Sequence, residues 1–178
     1  LVVGEGPVAA EVTQMLALIG RDVTLLKTSE KVFPALDDYL NAYISKRFDS
    51  LKIKTLEGAA GYDGLNLEDY EGIVNCMPRK GIKPSGTLQI EKKDSFYITD
   101  EHFMTSVKGV YAVGDVNGRS IYAHAASAQA LAAVNHILGI TETMETERVP
   151  LTIYTEPELA QIGKTEQQLT AEGAEYKV

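Results

Sequence analysis

Apolar runs that end at glycine or polar residues recur along the chain and predict strands that lead into helices. The first run covers residues 1–3 and ends at Gly4, where a helical pattern begins. Residues 21–27 and 51–55 indicate two further strands, with a helix opened by Pro34 between them. Short apolar strands that alternate with helices are typical of a parallel sheet covered by helices on both faces. The pattern therefore predicts an α/β fold with a Rossmann-like, three-layer sheet.

Helical spacing also marks one apolar face on each of the first two helices. On the first helix these positions are Val8, Val12, Met15, Leu16 and Ile19. On the second helix they are Leu36, Leu40, Tyr43, Ile44 and Phe48. We expect both faces to pack against the sheet.

The turn after the first strand carries a nucleotide-binding pattern. Its residues fit Gly4-x-Gly6-x-x-Ala9, which opens a helix in dinucleotide-binding units. We expect Gly4 to make the turn, Gly6 to leave room for a pyrophosphate, and Ala9 to let the helix approach the strand. A lone fingerprint of this kind is weak evidence. The strand–turn–helix context nevertheless favours nucleotide binding.

The second strand ends at Lys27, where an NAD-binding unit normally places an acid against the ribose hydroxyls. Thr28 and Ser29 follow it. A cation beside two hydroxyls suits a 2′-phosphate better than a free ribose, which favours NADP over NAD. The alternative is that Lys27 is simply solvated, so the choice between the two cofactors stays open.

A second apolar run, residues 110–113, ends at Gly114 and Asp115, and an alanine-rich helix is predicted from about Tyr122 to His136. Ligands of α/β sheets bind at the carboxyl ends of strands, so Asp115 stands at a ligand position. Gly114 lets a backbone approach closely, and Asp115 can accept hydrogen bonds from hydroxyls. The alternative is a strand-end turn in which Asp115 only caps the residues that follow.

Two short sequence segments in this region resemble the second flavin-contacting motif of the pyridine nucleotide–disulfide oxidoreductases. They are Tyr-Ala-Val-Gly-Asp-Val at residues 111–116 and Ile-Tyr-Ala-His at residues 121–124. The resemblance implies that Asp115 holds the ribityl chain of FAD. It also implies that the isoalloxazine edge is lined by Ile121, Tyr122, Ala123 and His124. The remaining cofactor-binding residues that we assign are Gly4, Gly6, Ala9, Glu11, Lys27, Met77 and Gly114.

The resemblance covers nearly the whole chain and implies three segments. Residues 1–84 would be an NAD(P)-binding domain, truncated at its start, and residues 85–145 the closing segment of an FAD-binding domain. Residues 146–178 would begin an α+β dimerisation domain. Because the chain starts inside a strand without methionine, we expect it to be a piece of a longer polypeptide. The family's redox cysteine pair and its acid/base histidine would then lie outside it, so no catalytic residue is assigned.

Two positions near residue 77 bear on cofactor chemistry. Met77 stands where the family has a glycine, and its bulk weighs against nicotinamide binding, although Arg79 and Lys80 keep the family's basic pair. Cys76 is the single cysteine, which excludes an internal disulfide or a Cys-x-x-Cys pair within this sequence. We expect Cys76 to be a small buried hydrophobe.

The charge and the apolar pattern of the chain argue against some classes of function. A formal net charge of −8 argues against a nucleic-acid surface. No apolar run approaches the length of a membrane span and no signal peptide precedes the first strand, so we expect a cytoplasmic protein without a membrane partner. No residue pattern indicates a metal site.

Three functions remain open. The first is part of a homodimeric, FAD-dependent oxidoreductase that passes hydride between NAD(P)H and a small-molecule or protein-bound disulfide or dithiol. The second is a non-catalytic relative or assembly subunit that has lost nicotinamide binding. The third is an unrelated Rossmann-like nucleotide-binding protein such as a methyltransferase. That function would not explain the motifs at residues 111–116 and 121–124. We favour the first.

Overall fold

The computed structural model describes residues 1–58, 62, 64–79, 81–82, 86–140 and 148–178. The chain forms two compact units. The first comprises Leu1–Pro78 with Pro150–Val178, and the second comprises Arg79–Val149. The structure groups residues 150–178 with the first unit, and the predicted three-domain boundaries stay a prediction. The functions assigned to the three segments stay predictions.

Strands and helices alternate in the first part of the chain, as the apolar pattern predicts. In chain order the elements are β1 (Val2–Val3), α1 (Pro7–Leu18), β2 (Thr24–Lys27), α2 (Asp38–Ser50), β3 (Lys54–Glu57), β4 (Val74–Asn75), β5 (Lys92–Lys93), β6 (Phe96–Tyr97), α3 (Ala123–Ile137), β7 (Leu151–Ile153), β8 (Leu159–Gln161) and α4 (Glu166–Ala171).

The first unit is built on a four-stranded parallel sheet with the order β3-β2-β1-β4. Val2 pairs with Leu25 of β2 on one side and with Val74 of β4 on the other. On the outer side of β2, Thr24 pairs with Lys54 of β3. This parallel sheet flanked by helices confirms the predicted Rossmann-like α/β class. Its order places the turn after β1 next to the ends of both β2 and β4.

The main core lies where the sheet meets α1 and α2. Every residue of β1 and β2 is buried, as is usual for parallel strands covered on both faces. The buried members of this core are Val2, Ala9, Ala10, Val23, Leu25, Val32, Phe33, Leu36, Ile44, Phe48, Ile53, Ile153 and Leu159.

The apolar face predicted for α1 is only partly correct. Val12 and Leu16 pack against the core, but Val8, Met15 and Ile19 are exposed. The residues that α1 buries instead are Ala9, Ala10, Thr13 and Gln14. Small side chains let the helix lie close to the sheet. Gln14 is buried because its Nε2 donates to the carbonyl of Glu156 at 3.0 Å.

The second helix begins four residues later than predicted. Pro34 precedes it, and Asp37 is the N-cap, whose Oδ1 accepts a hydrogen bond from Tyr39 N at 2.9 Å. An aspartate at this position satisfies an otherwise unpaired amide of the first turn, so the helix starts at Asp38. Of the apolar positions predicted on α2, Leu40, Ile44 and Phe48 pack in the core, whereas Tyr43 is exposed. Leu36 is buried but lies before the N-cap, outside the helix.

The second unit differs from the prediction before Gly114. Residues 110–113 form no regular strand, because the part of the chain that the structure describes offers them only an irregular partner. Thr105 N donates to the carbonyl of Val110 at 2.8 Å, and Ala112 N donates to Phe103 at 3.0 Å. The predicted alanine-rich helix is confirmed as α3. Through Ala132 and Ala133, α3 packs with Phe103 in a small core, and Tyr111 and Val113 lie at the edge of this core.

The last segment forms a hairpin followed by a short helix. β7 and β8 are antiparallel, with Thr152 opposite Ala160. The helix α4 begins with a capping box, in which Thr165 Oγ1 accepts from Gln168 N at 3.2 Å and Gln168 Oε1 accepts from Thr165 N at 2.8 Å. These reciprocal bonds satisfy two backbone donors at the helix start, as the Thr-x-x-Gln spacing requires.

Candidate cofactor-binding sites

Gly4 holds β1 close to β4. Its φ of +140° is a backbone conformation that L side chains rarely adopt. A Cβ at Gly4 would lie 2.5 Å from the carbonyl oxygen of Cys76, which directly follows β4. Gly4 N also donates to Leu26 of β2 at 2.9 Å. Gly4 therefore makes the predicted turn and fixes the spacing of three strands at their carboxyl ends.

The start of α1 keeps part of a phosphate-binding arrangement. Gly6 has a φ of +89°, and its amide donates to the carbonyl of Val32 at 3.1 Å. Pro7 has no amide hydrogen, and the first intrahelical bond is donated by Ala10 to Gly6 O at 3.1 Å. The amides of Val8 and Ala9 are thus the helix-start donors that could face an anion at the positive end of the helix. A dinucleotide phosphate fits here, but with few donors.

Ala9 is fully buried in the core next to β1, which confirms that its size lets α1 approach the strand. Glu11, two residues on, points to a different partner. Its Oε1 accepts a hydrogen bond from Tyr154 N at 2.9 Å and so ties α1 to the segment after β7. A role for Glu11 toward a cofactor stays a prediction.

Lys27 is buried, so the alternative prediction that its side chain is simply solvated is wrong. The side chain is 5% exposed. Its Nζ donates to the carbonyl of Ser29 at 2.8 Å, to the carbonyl of Glu30, and to Glu57 Oε1 at 2.9 Å. An ammonium has three donors, and all three are used inside the unit. This arrangement gives no support to the predicted contact with a 2′-phosphate.

Met77 packs with the small apolar cluster of Leu1, Val3 and Leu26. Its amide donates to Asn75 Oδ1 at 3.0 Å. Part of its bulk is therefore used in packing, and its predicted interference with nicotinamide stays untested. Cys76 is partly buried beside the main core, and burial raises the pKa of its thiol, in line with the expected structural role.

A buried polar network fixes the turn that carries Gly114 and Asp115. The turn is a short 3₁₀ helix, Gly114–Asn117. The side chain of Gln129 on α3 is buried, and its Oε1 accepts from Gly114 N at 2.7 Å and from Asn117 Nδ2 at 2.8 Å. Asn117 Nδ2 also donates to the carbonyl of Ala112 at 3.0 Å. The backbone beneath Asp115 is therefore held from both sides.

Arg79 links the two halves of the predicted flavin motif. Its Nη2 lies 3.1 Å from Asp115 Oδ2 and donates to the carbonyl of Ile121 at 2.9 Å. The Asp115 side chain remains 42% exposed, so its carboxylate can still accept hydrogen bonds from hydroxyl groups. Lys80, the other member of the predicted basic pair, lies outside the described residues.

The residues at the start of α3 are accessible to solvent. Tyr122 is the N-cap of α3, and Ala123 and His124 are exposed in its first turn. The rings of Tyr122 and His124 stack with centroids 5.3 Å apart. Burial raises the pKa of the Tyr122 hydroxyl, so the hydroxyl stays protonated at neutral pH. Through Arg79, which contacts both Asp115 and the Ile121 carbonyl, the exposed carboxylate is linked to the residues that precede these rings. A carboxylate and stacked rings are groups that would hold a flat cofactor with a polar chain, such as FAD.

The structure groups the predicted residues into two sets. Gly4, Gly6, Ala9, Lys27 and Met77 lie around the carboxyl ends of the parallel strands, and Gly114, Asp115, Ile121, Tyr122, Ala123 and His124 lie around the 3₁₀ turn. Sequence analysis missed Glu5, Glu57 and Gln129, and it named Thr28 only as a hydroxyl behind Lys27 and not as a partner of Glu5. Gln129 carried a signal, since it is a lone amide in an alanine-rich helix. The other three join positions far apart in sequence.

Residues 1–130 match the family model described as pyridine nucleotide-disulphide oxidoreductase. The chain belongs to this family. The predicted resemblance is thereby confirmed, and the interpretation as an unrelated nucleotide-binding protein is ruled out.

Curated relatives and solved structures agree with the family. The chain is 30% identical to mitochondrial dihydrolipoyl dehydrogenase 2 of Arabidopsis thaliana, over 100% of this chain and 39% of the relative. It is also 30% identical to leghemoglobin reductase of Vigna unguiculata, over 100% of this chain and 38% of the relative. The chain therefore spans less than half the length of the curated relatives it matches.

Two solved structures share the fold. LpdA of Mycobacterium tuberculosis matches 96% of this chain with 41% of its own, at a TM-score of 0.83 and 22% identity. The HOCl-induced flavoprotein disulfide reductase RclA of Escherichia coli matches 98% of this chain with 45% of its own, at a TM-score of 0.79 and 18% identity. At these identities the likeness concerns the fold.

The described ranges contain no cluster of three or more His, Cys, Asp or Glu residues that could hold a metal ion. Within the same ranges, no helix is both long enough and apolar enough to cross a membrane.

Proposed function

We propose that the chain is part of an FAD-dependent pyridine nucleotide–disulfide oxidoreductase that resembles dihydrolipoamide dehydrogenase. In this proposal the bound flavin supplies a two-electron relay between a reduced nicotinamide and a disulfide, which becomes a dithiol. The disulfide belongs to a small molecule or a protein-bound group, and the full-length protein acts as a homodimer. Family membership and the names of the relatives support this function over a non-catalytic subunit.

The observation that carries the proposal is the Asp115 turn. Gln129 and Asn117 hold its backbone, and Arg79 orients the Asp115 carboxylate from one side while the other side stays accessible. A fixed carboxylate at the start of a helix can accept hydrogen bonds from the ribityl hydroxyls of FAD without reorganising. The same guanidinium contacts the carbonyl of Ile121, so one cation positions both the carboxylate and the start of α3.

The test is the flavin content of the full-length protein that contains this chain. We expect it to purify yellow, with about one FAD per chain when the cofactor is released by heat and quantified by chromatography. Asp115→Ala removes hydrogen bonds to a charged acceptor, which contribute about 1.5–3 kcal/mol. FAD should therefore bind about tenfold to a hundredfold more weakly.

Glu91→Gln is the matched control, because it removes an exposed carboxylate of the same unit that lies directly before β5. It should retain FAD like the unmodified protein. A colourless full-length protein would contradict the proposal, as would undiminished FAD affinity in Asp115→Ala.

A further inference from the structure

Both basic residues near the carboxyl end of β2 are paired with acids. Lys27 is buried and paired with Glu57. The other basic residue between positions 24 and 38 is Lys31, whose ammonium forms an ion pair with Asp38. That hydrogen bond lowers the pKa of the Asp38 carboxyl. Both cations that could reach a 2′-phosphate in this stretch are thus matched by an acid.

A carboxylate does lie at this strand end, and it comes from a different element. Glu5 is the middle residue of the Gly4–Gly6 turn, directly after β1. Its Oε2 accepts a hydrogen bond at 2.8 Å from the hydroxyl of Thr28, the first residue after β2. Since β1 and β2 are neighbours in the sheet, this bond brings the Glu5 carboxylate to the end of β2. In NAD-binding units an acid at the end of β2 itself accepts from the ribose hydroxyls.

We propose that Glu5 takes the place of that acid, binds the adenosine ribose, and selects NAD(H) over NADP(H). The inference rests on the proposed function, because it assumes a nicotinamide dinucleotide at the turn after β1. A carboxylate has acceptor positions left after the bond from Thr28, and it repels a 2′-phosphate. Lys27 is buried with its donors used, and the charge of Lys31 is offset by Asp38. The preference for NADP predicted from Lys27 is thereby reversed.

The test uses probes that lack the nicotinamide, so that binding is read without flavin reduction. ADP-ribose and 2′-phospho-ADP-ribose are titrated into the full-length, flavin-loaded protein by isothermal calorimetry. We expect ADP-ribose to bind at least about tenfold more tightly, because like charges across an interface disfavour the phosphorylated ligand. Glu5→Gln, which keeps the shape and removes the charge, should bring the ratio of the two affinities close to one.

Two further variants complete the design. Thr28→Val removes only the hydroxyl that orients Glu5, and it should weaken ADP-ribose while still disfavouring the phosphorylated ligand. Asp22→Asn is the matched control, since it removes one exposed acid just before the opposite end of β2, and it should leave the ratio unchanged. Unfolding curves of all variants establish that they are folded.

Comparable affinity for both probes in the unmodified protein overturns the assignment of Glu5, and so does an unchanged ratio in Glu5→Gln. In both cases the proposed function stands if FAD is retained. If neither probe binds to the flavin-loaded protein, the Glu5 assignment and the nicotinamide part of the proposed function both fail.

Discussion

Replacing Lys27 separates a structural role from a ligand-binding one. A lysine that serves a phosphate from the surface can be changed with little effect on folding. The structure instead buries Lys27, with 5% of the side chain exposed, and surrounds its ammonium with the carbonyls of Ser29 and Glu30 and the carboxylate of Glu57. We therefore expect the free energy of unfolding to respond strongly and in a defined order.

The magnitudes follow from the partners. Lys27→Met keeps the apolar stem and removes the charged donor, so it should lower the free energy of unfolding by about 1.5–3 kcal/mol. Glu57→Gln should lower it by less than about 1 kcal/mol, because the Glu57 side chain is 62% exposed and solvent screens the pair. Lys27→Glu places a carboxylate against two carbonyls and Glu57, so its effect should exceed about 3 kcal/mol.

The assay is urea unfolding of the full-length protein, followed by far-ultraviolet circular dichroism. Hydrogen–deuterium exchange of peptides from β2 and β3 shows whether the loss is local to this pair of strands. Lys46→Glu, at an exposed position of α2, makes the same change of charge and should stay within about 0.5 kcal/mol of the unmodified protein. The reasoning is refuted if Lys27→Glu is as stable as Lys46→Glu.

Two further predictions concern the turn after β1 and the single cysteine. Gly4→Ala should lower the free energy of unfolding by more than about 3 kcal/mol, because the new Cβ would clash with the Cys76 carbonyl. Gly20 also has a positive φ but lies in open space, so Gly20→Ala should lower it by only about 1–2 kcal/mol. Equal losses of the two variants in urea unfolding would contradict the close approach at Gly4. Because burial raises the pKa of the Cys76 thiol, little thiolate is present at neutral pH. Its reaction with iodoacetamide at pH 7 should therefore be slower than that of free cysteine and should accelerate as the pH rises, and a rate equal to that of free cysteine would contradict its burial.

The alternating parallel strands and helices of the first unit, and the helix α3, could be predicted because they depend on local periodicity. The apolar run that ends at Gly4, followed by helical spacing, specifies where β1 passes into α1, whereas the run that ends at Gly114 predicted the helix after it correctly but formed no regular strand. The parallel direction of the strands then follows from the alternation of strands and helices, whereas their order in the sheet was not predicted. The N-cap of α2 was missed because Pro34 and Asp37 are both acceptable helix starts, and only the bond from Tyr39 N decides between them.

The failures share a different cause, which is that the deciding partner is distant in sequence. The burial of Lys27 depends on Glu57, thirty positions later, through the pairing of β2 with β3. The buried face of α1 depends on Glu156, whose backbone binds Gln14. The register of neighbouring elements supplies these contacts, and periodicity within one element carries no information about them.

The central claim is that this chain belongs to a protein that moves electrons from a nicotinamide to a disulfide through FAD. It is tested most directly by adding NADH to the full-length protein without oxygen while the visible spectrum is recorded. We expect the absorption of oxidised flavin to fall on addition of NADH and to return on addition of lipoamide, whose disulfide takes up the two electrons with two protons. A flavin that stays oxidised in the presence of both NADH and NADPH would contradict the claim.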